Sequence, residues 1–292
     1  MIVLGRKVQH NNIVTSELLT QCNKENIELG NDFLDYLRSV DRSPNTIDAY
    51  ANDLKIFWVY LLQHCNNKFF IDLSKRDISK YQSYCLTEYK WSPARMRRVK
   101  STLSSLSNYV ENMLDDEFED FRPIVRKIEN PVNEKVLTKT VLEDEQLEKL
   151  LNILVEKKKY DKACMLSLAM NSGRRKSELP RFKVSYFDDD NIIYGSLYKT
   201  PEQVRTKGRG SRGKMLTLYV LSKPFKPYLD LWMNYRKENG IESEWLFPKK
   251  INGEYIDEPM EAKTLDSWAD TFGNILGVDF YFHSLRHFFT SE

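Results

Sequence analysis

The chain has 292 residues, which is enough for two domains of ordinary size with a core in each. Its 44 Lys and Arg residues nearly balance its 42 Asp and Glu residues, so overall charge alone does not indicate a nucleic-acid-binding protein, and only local charge can. With only 11 glycines, the composition disfavours an all-β protein or a Gly-rich nucleotide-binding fold.

The cysteines and the apolar segments indicate the class of protein. The four cysteines are far apart and form no CxxC pair, which argues against a metal site or a disulfide framework. Reduced thiols in a cytosol are therefore expected. The N-terminus lacks the apolar stretch of a secretion signal, and no apolar run approaches the length of a membrane span. We predict a soluble cytoplasmic protein.

The first half of the chain has helical periodicity from residue 28. Residues 1–27 are weakly patterned and are predicted to be an extension or a short helix. Apolar residues recur at helical spacing in 28–40, 43–65, 78–89 and 92–114. The second and fourth of these segments each begin with a Ser-Pro pair, which suits an N-cap followed by the first helical position. Four helices with short loops predict a compact all-α domain over 28–114.

The second half is predicted to be a mixed domain. Residues 115–140 start with an acidic run, contain two prolines afterwards and show no clear period, so they are interpreted as a linker. The domain over 141–292 is predicted to contain helices and a small antiparallel sheet, which includes two strands around an acidic turn in 182–200 and a hairpin over 202–221 with a Gly- and Arg-rich tip. The helices are predicted at 141–158, 162–171, 224–239, 264–276 and from 282 onwards.

Two segments carry concentrated positive charge. Residues 90–100 contain five basic residues and no acid, and residues 199–214 contain six basic residues and one acid. Either segment is compatible with a solvated surface. The first, however, lies at a helix start and the second at a glycine-containing hairpin tip, and both places suit contact with phosphate. From charge alone, the two interpretations stay open.

Three motifs follow one another in the second domain: SGRRKSEL at 172–179, TKGRG at 206–210 and HSLRH at 283–287. Taken singly, the first suits a capped helix junction with a surface ion pair, and the third suits two histidines at a helix start. In this order they resemble the tyrosine recombinase (phage integrase) family, and residues 28–114 resemble its SAM-like helical core-binding domain. The resemblance spans residues 28–292, and the matching box positions are Ser172, Gly173, Arg175, Glu178, Leu179, Lys207, His283, Leu285, Arg286 and His287.

The resemblance implies a reaction and roles for the site residues. The family breaks a DNA strand by attack of a tyrosine hydroxyl on a phosphodiester, which gives a 3′-phosphotyrosyl link. Arg175 and Arg286 would clamp the phosphate oxygens, and Lys207 would protonate the leaving 5′-oxygen. His283 would assist proton transfer, and Glu178 would support Arg175. No metal and no cofactor is implied.

The resemblance also implies partners. The expected ligand is a double-stranded DNA recombination site, with a tetramer of the full-length protein on paired sites and accessory DNA-bending proteins as further partners. The expected DNA contacts are Ser43, Asn45, Thr46, Arg95, Arg98, Lys100, Arg205, Arg209 and Arg212. Phosphate contacts would supply most of the affinity and its salt dependence.

The sequence departs from the family pattern in three ways. Arg174 and Lys176 lie where the family usually has apolar residues, and Lys199 and Lys214 compete with Lys207 for the catalytic role. The sequence stops before the family's Gly-His pair and nucleophilic tyrosine, and Tyr281 precedes the second box instead of following it.

This ending leaves two hypotheses. In the first, the chain is a recombinase without its nucleophile segment, and it binds DNA without cleaving it. In the second, it is a naturally shortened DNA-binding regulator or competitor at recombination sites. A helical scaffold with no DNA role would leave the ordered boxes unexplained.

Overall fold

A computed structural model describes residues 13–132, 142–208, 210 and 213–291. These residues are mainly α-helical with small antiparallel sheets, as predicted, and the chain divides into two compact units. The described part of the N-terminal unit is 13–132, and that of the C-terminal unit is 142–208 with 213–291. Within these ranges no helix is long and apolar enough to span a bilayer. All four cysteines are buried and free.

The N-terminal unit is a bundle of one short and four longer helices. Its helices are α1 (Ser16–Gln21), α2 (Lys24–Ser39), α3 (Pro44–His64), α4 (Lys75–Thr87) and α5 (Pro93–Met113). The four longer helices confirm the four that periodicity predicted. Their apolar faces form a single core in which Phe57, Tyr81 and Leu103 have no exposed surface.

Side-chain caps determine where the helices of this unit begin. The hydroxyls of Ser43 and Ser92 each accept a hydrogen bond at 3.3 Å from the third backbone N–H after them, which confirms the two predicted Ser-Pro starts. Helix α4 begins three residues earlier than predicted. Ser74 and Asp77 cap it reciprocally, with the Asp77 carboxylate accepting from the Ser74 N–H at 2.9 Å.

The segment after α5 packs on the N-terminal unit as far as it is described. Val125 is fully buried in the core of that unit, and Phe118, Phe121 and Ile128 pack against the same core. Residues 115–132 form turns and one 3-10 helix, Val125–Lys127, so their apolar side chains have no regular spacing. This irregularity explains why the sequence indicated a linker here.

The C-terminal unit is built around one buried helix. Its helices are α6 (Asp144–Glu156), α7 (Tyr160–Ser172), α8 (Ser222–Glu238), α9 (Thr264–Leu276) and α10 (Phe282–Ser291), all close to their predicted positions. Residues 163–169 of α7 are almost completely buried, because α6, α8 and α10 all pack against this helix. Helix α7 therefore fixes the position of the segments that follow it.

The described strands of this unit are short and antiparallel. Strands β1 (Ile192–Ile193), β2 (Leu197–Lys199) and β5 (Tyr219–Leu221) form a sheet in the order β1-β2-β5. Strands β3 (Val204–Thr206) and β4 (Lys214–Leu216) form the predicted hairpin, with Thr206 opposite Lys214. Strands β6 (Pro248–Ile251) and β7 (Glu254–Pro259) form a hairpin that was not predicted.

The prediction of two strands around an acidic turn was wrong for the first strand. Residues 184–187 and 189–191 form 3-10 helices, and the turn between β1 and β2 contains Tyr194 and Gly195, which both have positive φ. The rings of Phe182 and Phe187 stack 5.7 Å apart in the core. In a β-strand, residues five positions apart point to opposite faces, because successive side chains alternate. Both rings point into the same core here, so the segment is not a strand.

A buried arginine organises the loop between α8 and β6. The Arg236 side chain is 3% exposed, and its guanidinium donates to the carbonyls of Trp245, Leu246, Ser243 and Ile241 at 2.6, 2.9, 2.7 and 3.4 Å. These carbonyls lie on a loop without regular structure, so the guanidinium supplies donors that a strand or helix would otherwise supply.

We expect Arg236→Met to lower the free energy of unfolding by about 3 kcal/mol, because it leaves several buried carbonyls without donors. Lys237→Met, a change of the same charge at the exposed neighbouring position, should change it by less than about 0.5 kcal/mol. Urea unfolding followed by circular dichroism measures both variants. Equal stability of the two would contradict the structural role of Arg236.

Candidate active site and nucleic-acid interface

The first box lies in the turn that ends helix α7. Gly173 terminates the helix in the left-handed conformation, with φ of 58°, and its N–H donates to the carbonyl of Ala169 at 3.3 Å. The turn after it closes through bonds from the N–H groups of Glu178 and Leu179 to the carbonyl of Arg175, at 2.8 and 3.3 Å. Residues 175–178 thus form one turn that leads into a 3-10 helix, Leu179–Arg181.

The carboxylate of Glu178 joins this turn to the hairpin. Its side chain is 1% exposed. Oε2 accepts from the backbone N–H of Arg175 at 3.1 Å, and Oε1 accepts from Arg175 Nη1 at 3.2 Å. Oε1 also accepts from the backbone N–H of Lys207 at 3.3 Å. One buried carboxylate thus fixes both the backbone and the guanidinium of Arg175 and holds the residue that follows strand β3.

Among the three candidate lysines, Lys207 is connected to the first box. Its backbone contacts Glu178 directly, and its side chain is exposed. Lys199 lies on β2 opposite Tyr219, in the separate three-stranded sheet. Lys214 lies on β4, opposite the end of β3. The contact with Glu178 favours Lys207 as the lysine that acts together with Arg175.

The second box forms the first turns of α10. Phe282 and Leu285 are buried and attach the helix to the core of the unit. His283 is exposed and Arg286 is half-buried, and their spacing of three residues places them on one face of the helix. Helix α10 packs against α7, and Arg286 lies within electrostatic range of Arg174, which precedes Arg175 in the turn after α7.

Gly173 allows this close packing. A Cβ atom at Gly173 would lie 2.5 Å from Cδ1 of Phe289, a distance that real Cβ atoms do not show. The aromatic ring of α10 therefore rests directly on the backbone at the end of α7. Glycine is required at this position both by the left-handed backbone and by the neighbouring ring.

A further arginine, Arg174, belongs to the same cluster. Burial lowers the pKa of its guanidinium, the Glu178 carboxylate opposes this shift, and the positive charges of Arg286 and Arg175 add to it. Arg174 thus lies within electrostatic range of Arg175, Arg286 and Glu178. Sequence reasoning noted Arg174 as a departure from the family pattern and gave it no role. The sequence signal that could have indicated a role for Arg174 was the presence of a second arginine, next to Arg175, in the first box.

The helix start of α3 carries three of the predicted DNA contacts. The Ser43 and Thr46 hydroxyls lie 2.8 Å apart at the N-cap, and the Asn45 side chain is exposed. Tyr50 pairs with Ser105 and Asp53 with Thr102, which shows that α3 and α5 run antiparallel. Because the two helices are antiparallel, Ser43 and Arg95, which lie near their starts, are at opposite ends of the helix pair. At a rise of 1.5 Å per residue, these positions are about 25 Å apart along the pair.

The basic residues of α5 that were predicted to contact DNA make interactions within the N-terminal unit. The Arg95 guanidinium stacks 4.1 Å from the centroid of the Trp91 ring. Arg98 makes two hydrogen bonds to the buried carboxylate of Asp53, at 2.8 and 2.6 Å. Lys100 is buried and donates to the carbonyl of Ile128. The ionic groups of Arg98 and Lys100 thus have partners inside the N-terminal unit.

The remaining predicted contacts lie on the β3–β4 hairpin. Arg205 is exposed on β3, and its carbonyl accepts a hydrogen bond from Arg181. Arg209 and Arg212 lie outside the described residues, as does the side chain of His287. In the part of the chain that the structure describes, no group of three His, Cys, Asp or Glu side chains could hold a metal ion.

Comparison with known proteins agrees with this geometry. The sequence profile of the phage integrase family matches residues 140–292. The profile of the phage integrase N-terminal SAM-like domain matches residues 29–120. The chain belongs to the phage integrase family of tyrosine recombinases. The two profiles cover the SAM-like helical unit and the unit that contains Arg175, Glu178, Lys207, His283 and Arg286, as the resemblance implied.

Individual relatives support the assignment. The SPbeta prophage-derived recombinase-like protein YomM of Bacillus subtilis is 30% identical over 266 residues, which are 89% of this chain and 74% of that protein. The tyrosine recombinase XerC of Caldanaerobacter subterraneus is also 30% identical, over 88% of this chain and 72% of that protein. A crystal structure of a lambda integrase(75-356) dimer bound to a COC′ core site has a TM-score of 0.64 at 15% identity, with 90% of this chain and 88% of that chain covered. This last likeness shows a shared fold.

We expect Gly173→Ala to destabilise the C-terminal unit by about 2 kcal/mol or more, because it adds left-handed strain and a clash with Phe289. In a Phe289→Ala background the same change should cost only the backbone strain, about 1 kcal/mol. Urea unfolding of the four proteins measures the difference. An equal cost in both backgrounds would show that Phe289 does not rest on Gly173.

Proposed function

We propose that this protein binds duplex DNA and cleaves and rejoins its strands at specific sites through a 3′-phosphotyrosyl intermediate. The observation that carries the proposal is the Glu178 carboxylate, which holds Arg175 and the Lys207 backbone together. Arg286 lies within electrostatic range of the adjacent Arg174. Membership of the tyrosine recombinase family supports site-specific recombination as the overall process.

The proposed cleavage step is a displacement at phosphorus. A tyrosine hydroxyl attacks the scissile phosphate, a tyrosyl O–P bond forms, and the bond to the 5′-oxygen breaks. Negative charge accumulates on the non-bridging oxygens, where the guanidiniums of Arg175 and Arg286 stabilise it. Fixing Arg175 through Glu178 removes the need to reorient that guanidinium during the reaction.

Two further residues carry protons in this proposal. The Lys207 ammonium protonates the departing 5′-oxygen, and its exposed side chain can reach DNA once DNA is bound. His283, on the same helix face as Arg286, accepts a hydrogen bond or a proton from the nucleophile. In rejoining, the 5′-hydroxyl of another strand attacks the phosphotyrosine. The covalent link conserves the bond energy, so the cycle needs no ATP.

The proposed DNA interface involves both units. In the N-terminal unit, Ser43, Asn45 and Thr46 at the start of α3 and Arg95 at the start of α5 form two contact regions on the duplex. In the C-terminal unit we propose Arg205 with the predicted hairpin residues Arg209 and Arg212. Because Arg98 and Lys100 have internal partners, we assign them to the support of this interface. The proposed working state is a tetramer on paired sites, in the cytoplasm at the nucleoid.

The nucleophile and the alternative function are tested together. In this proposal a tyrosine that follows the second box supplies the nucleophile, and residues 1–292 supply DNA binding and phosphate stabilisation. A DNA-binding regulator that never cleaves would share the first property and lack covalent chemistry. Incubating a nicked duplex with the protein extended through that tyrosine distinguishes the two, because only a recombinase forms a covalent adduct.

We expect Arg175→Ala and Arg286→Ala, each in the extended protein, to reduce the rate of covalent adduct formation by about 10²-fold or more, because each removes a donor to the developing charge. Denaturing gel electrophoresis of a labelled nicked duplex measures the adduct. Lys237→Ala, which removes an exposed positive charge at the end of α8, is the matched control and should retain the parent rate. Adduct formation at the parent rate by either arginine variant would refute its role.

A further inference from the structure

Arg174 lies within electrostatic range of Arg175, Arg286 and Glu178, and the chemistry derived so far gives it no role. Its side chain is half-buried, and its Nε atom donates to the carbonyl of Ser172, the last residue of α7, at 2.9 Å. Among the described residues, Arg174 donates a hydrogen bond to the Ser172 carbonyl alone. Its Nη1 and Nη2 atoms have no acceptor in that part of the chain. One edge of the guanidinium is therefore anchored, and the terminal nitrogens remain available to a ligand.

The charges around Arg174 favour an anion. Three guanidiniums, those of Arg174, Arg175 and Arg286, share the neighbourhood of one buried carboxylate, that of Glu178. The Glu178 carboxylate makes its hydrogen bonds to Arg175 and to the Lys207 backbone and makes none to Arg174, so the Arg174 charge has no directly bonded counter-ion in this cluster. Crowded and partly desolvated like charges are unfavourable unless an anion binds between them.

The neighbouring Lys176 has a different environment. It lies in the same turn and also replaces an apolar residue of the family pattern. Its ammonium, however, makes two bonds to the carboxylate of Asp266 on α9, at 2.7 and 2.8 Å. That partner neutralises Lys176 within the protein. Of the two basic departures in the first box, Arg174 is the one whose charge is left for a ligand.

We propose that Arg174 binds a DNA phosphate at the cleavage site through Nη1 and Nη2, as a third guanidinium beside Arg175 and Arg286. The inference rests on the proposed function, since it takes DNA as the ligand. A guanidinium held at Nε presents its two terminal N–H groups in a fixed pose that suits bidentate contact with phosphate. A purely structural role, in which Arg174 caps the end of α7, would use only the Nε–H group and would leave the donors on Nη1 and Nη2 without a function.

The test compares DNA binding and stability of three variants of the 292-residue chain. Arg174→Leu removes the charge and introduces an apolar residue, as in the family pattern. Arg174→Lys keeps the charge and loses the planar fork. Lys176→Met removes one charge from the same turn and is the matched control. Fluorescence anisotropy with a labelled random-sequence duplex, from low to moderate salt, gives the dissociation constant and its salt slope, and thermal unfolding gives stability.

The phosphate contact predicts a specific pattern. Arg174→Leu should weaken binding by about tenfold and reduce the salt slope by about 0.9, the loss of one phosphate contact. Arg174→Lys should keep most of the slope, with a dissociation constant raised by about threefold. Lys176→Met should leave both values close to those of the parent. Because a capping role would act through stability, the binding losses should appear at temperatures where all variants are folded.

Two results would overturn the inference, and they are distinguishable. If the parent binds DNA with a steep salt slope and Arg174→Leu binds in the same way, Arg174 contacts no phosphate, while the proposed function stands. If the parent itself shows no binding at low salt, the proposed function fails and the inference fails with it. Should Arg174→Leu unfold, the comparison of Arg174→Lys with Lys176→Met decides: equal binding by these two contradicts the contact.

Discussion

Glu178 places a carboxylate almost fully out of solvent between the turn that carries Arg175 and the end of strand β3. Its two oxygens accept three hydrogen bonds, of which two come from backbone N–H groups and one from a guanidinium. A neutral amide could not replace it, because one of its two positions would present N–H donors to other donors. The relative position of Arg175 and Lys207 therefore depends on one buried negative charge.

The second constraint on the site is packing, and it orients the other box. Residues 163–169 of helix α7 are buried, so its end is fixed, and Gly173 lets Phe289 of α10 rest on that end. The buried Phe282 and Leu285 hold the start of α10, and the helix surface beside this buried stripe carries His283 and Arg286. Hydrogen bonding positions the first box and the lysine, and apolar contact positions the second box. Both act within one unit, so a compact domain assembles the groups that we propose bind phosphate.

Much of this arrangement could be predicted from sequence, and the failures have physical causes. Ser-Pro pairs and apolar spacing are local signals, so the helices of the N-terminal unit were found. The hairpin β6–β7 was missed although Asn252 and Gly253, both with positive φ, form the Asn-Gly turn typical of hairpins. The bonds between Arg98 and Asp53 could not be predicted, because a charge run does not reveal a distant internal partner. The role of Glu178 in holding the Lys207 backbone needed the three-dimensional fold, since the two residues are far apart in sequence.

The most direct test of the central claim is amide hydrogen exchange at Lys207. We expect Glu178→Gln to accelerate exchange of the Lys207 amide by about tenfold, because the substitution forces a donor against a donor and weakens this contact. Asp266→Asn, which removes the carboxylate that pairs with Lys176 nearby, should leave that amide unchanged. If Glu178→Gln also leaves the Lys207 amide unchanged while the protein stays folded, Glu178 does not connect the first box to the hairpin, and the account is wrong.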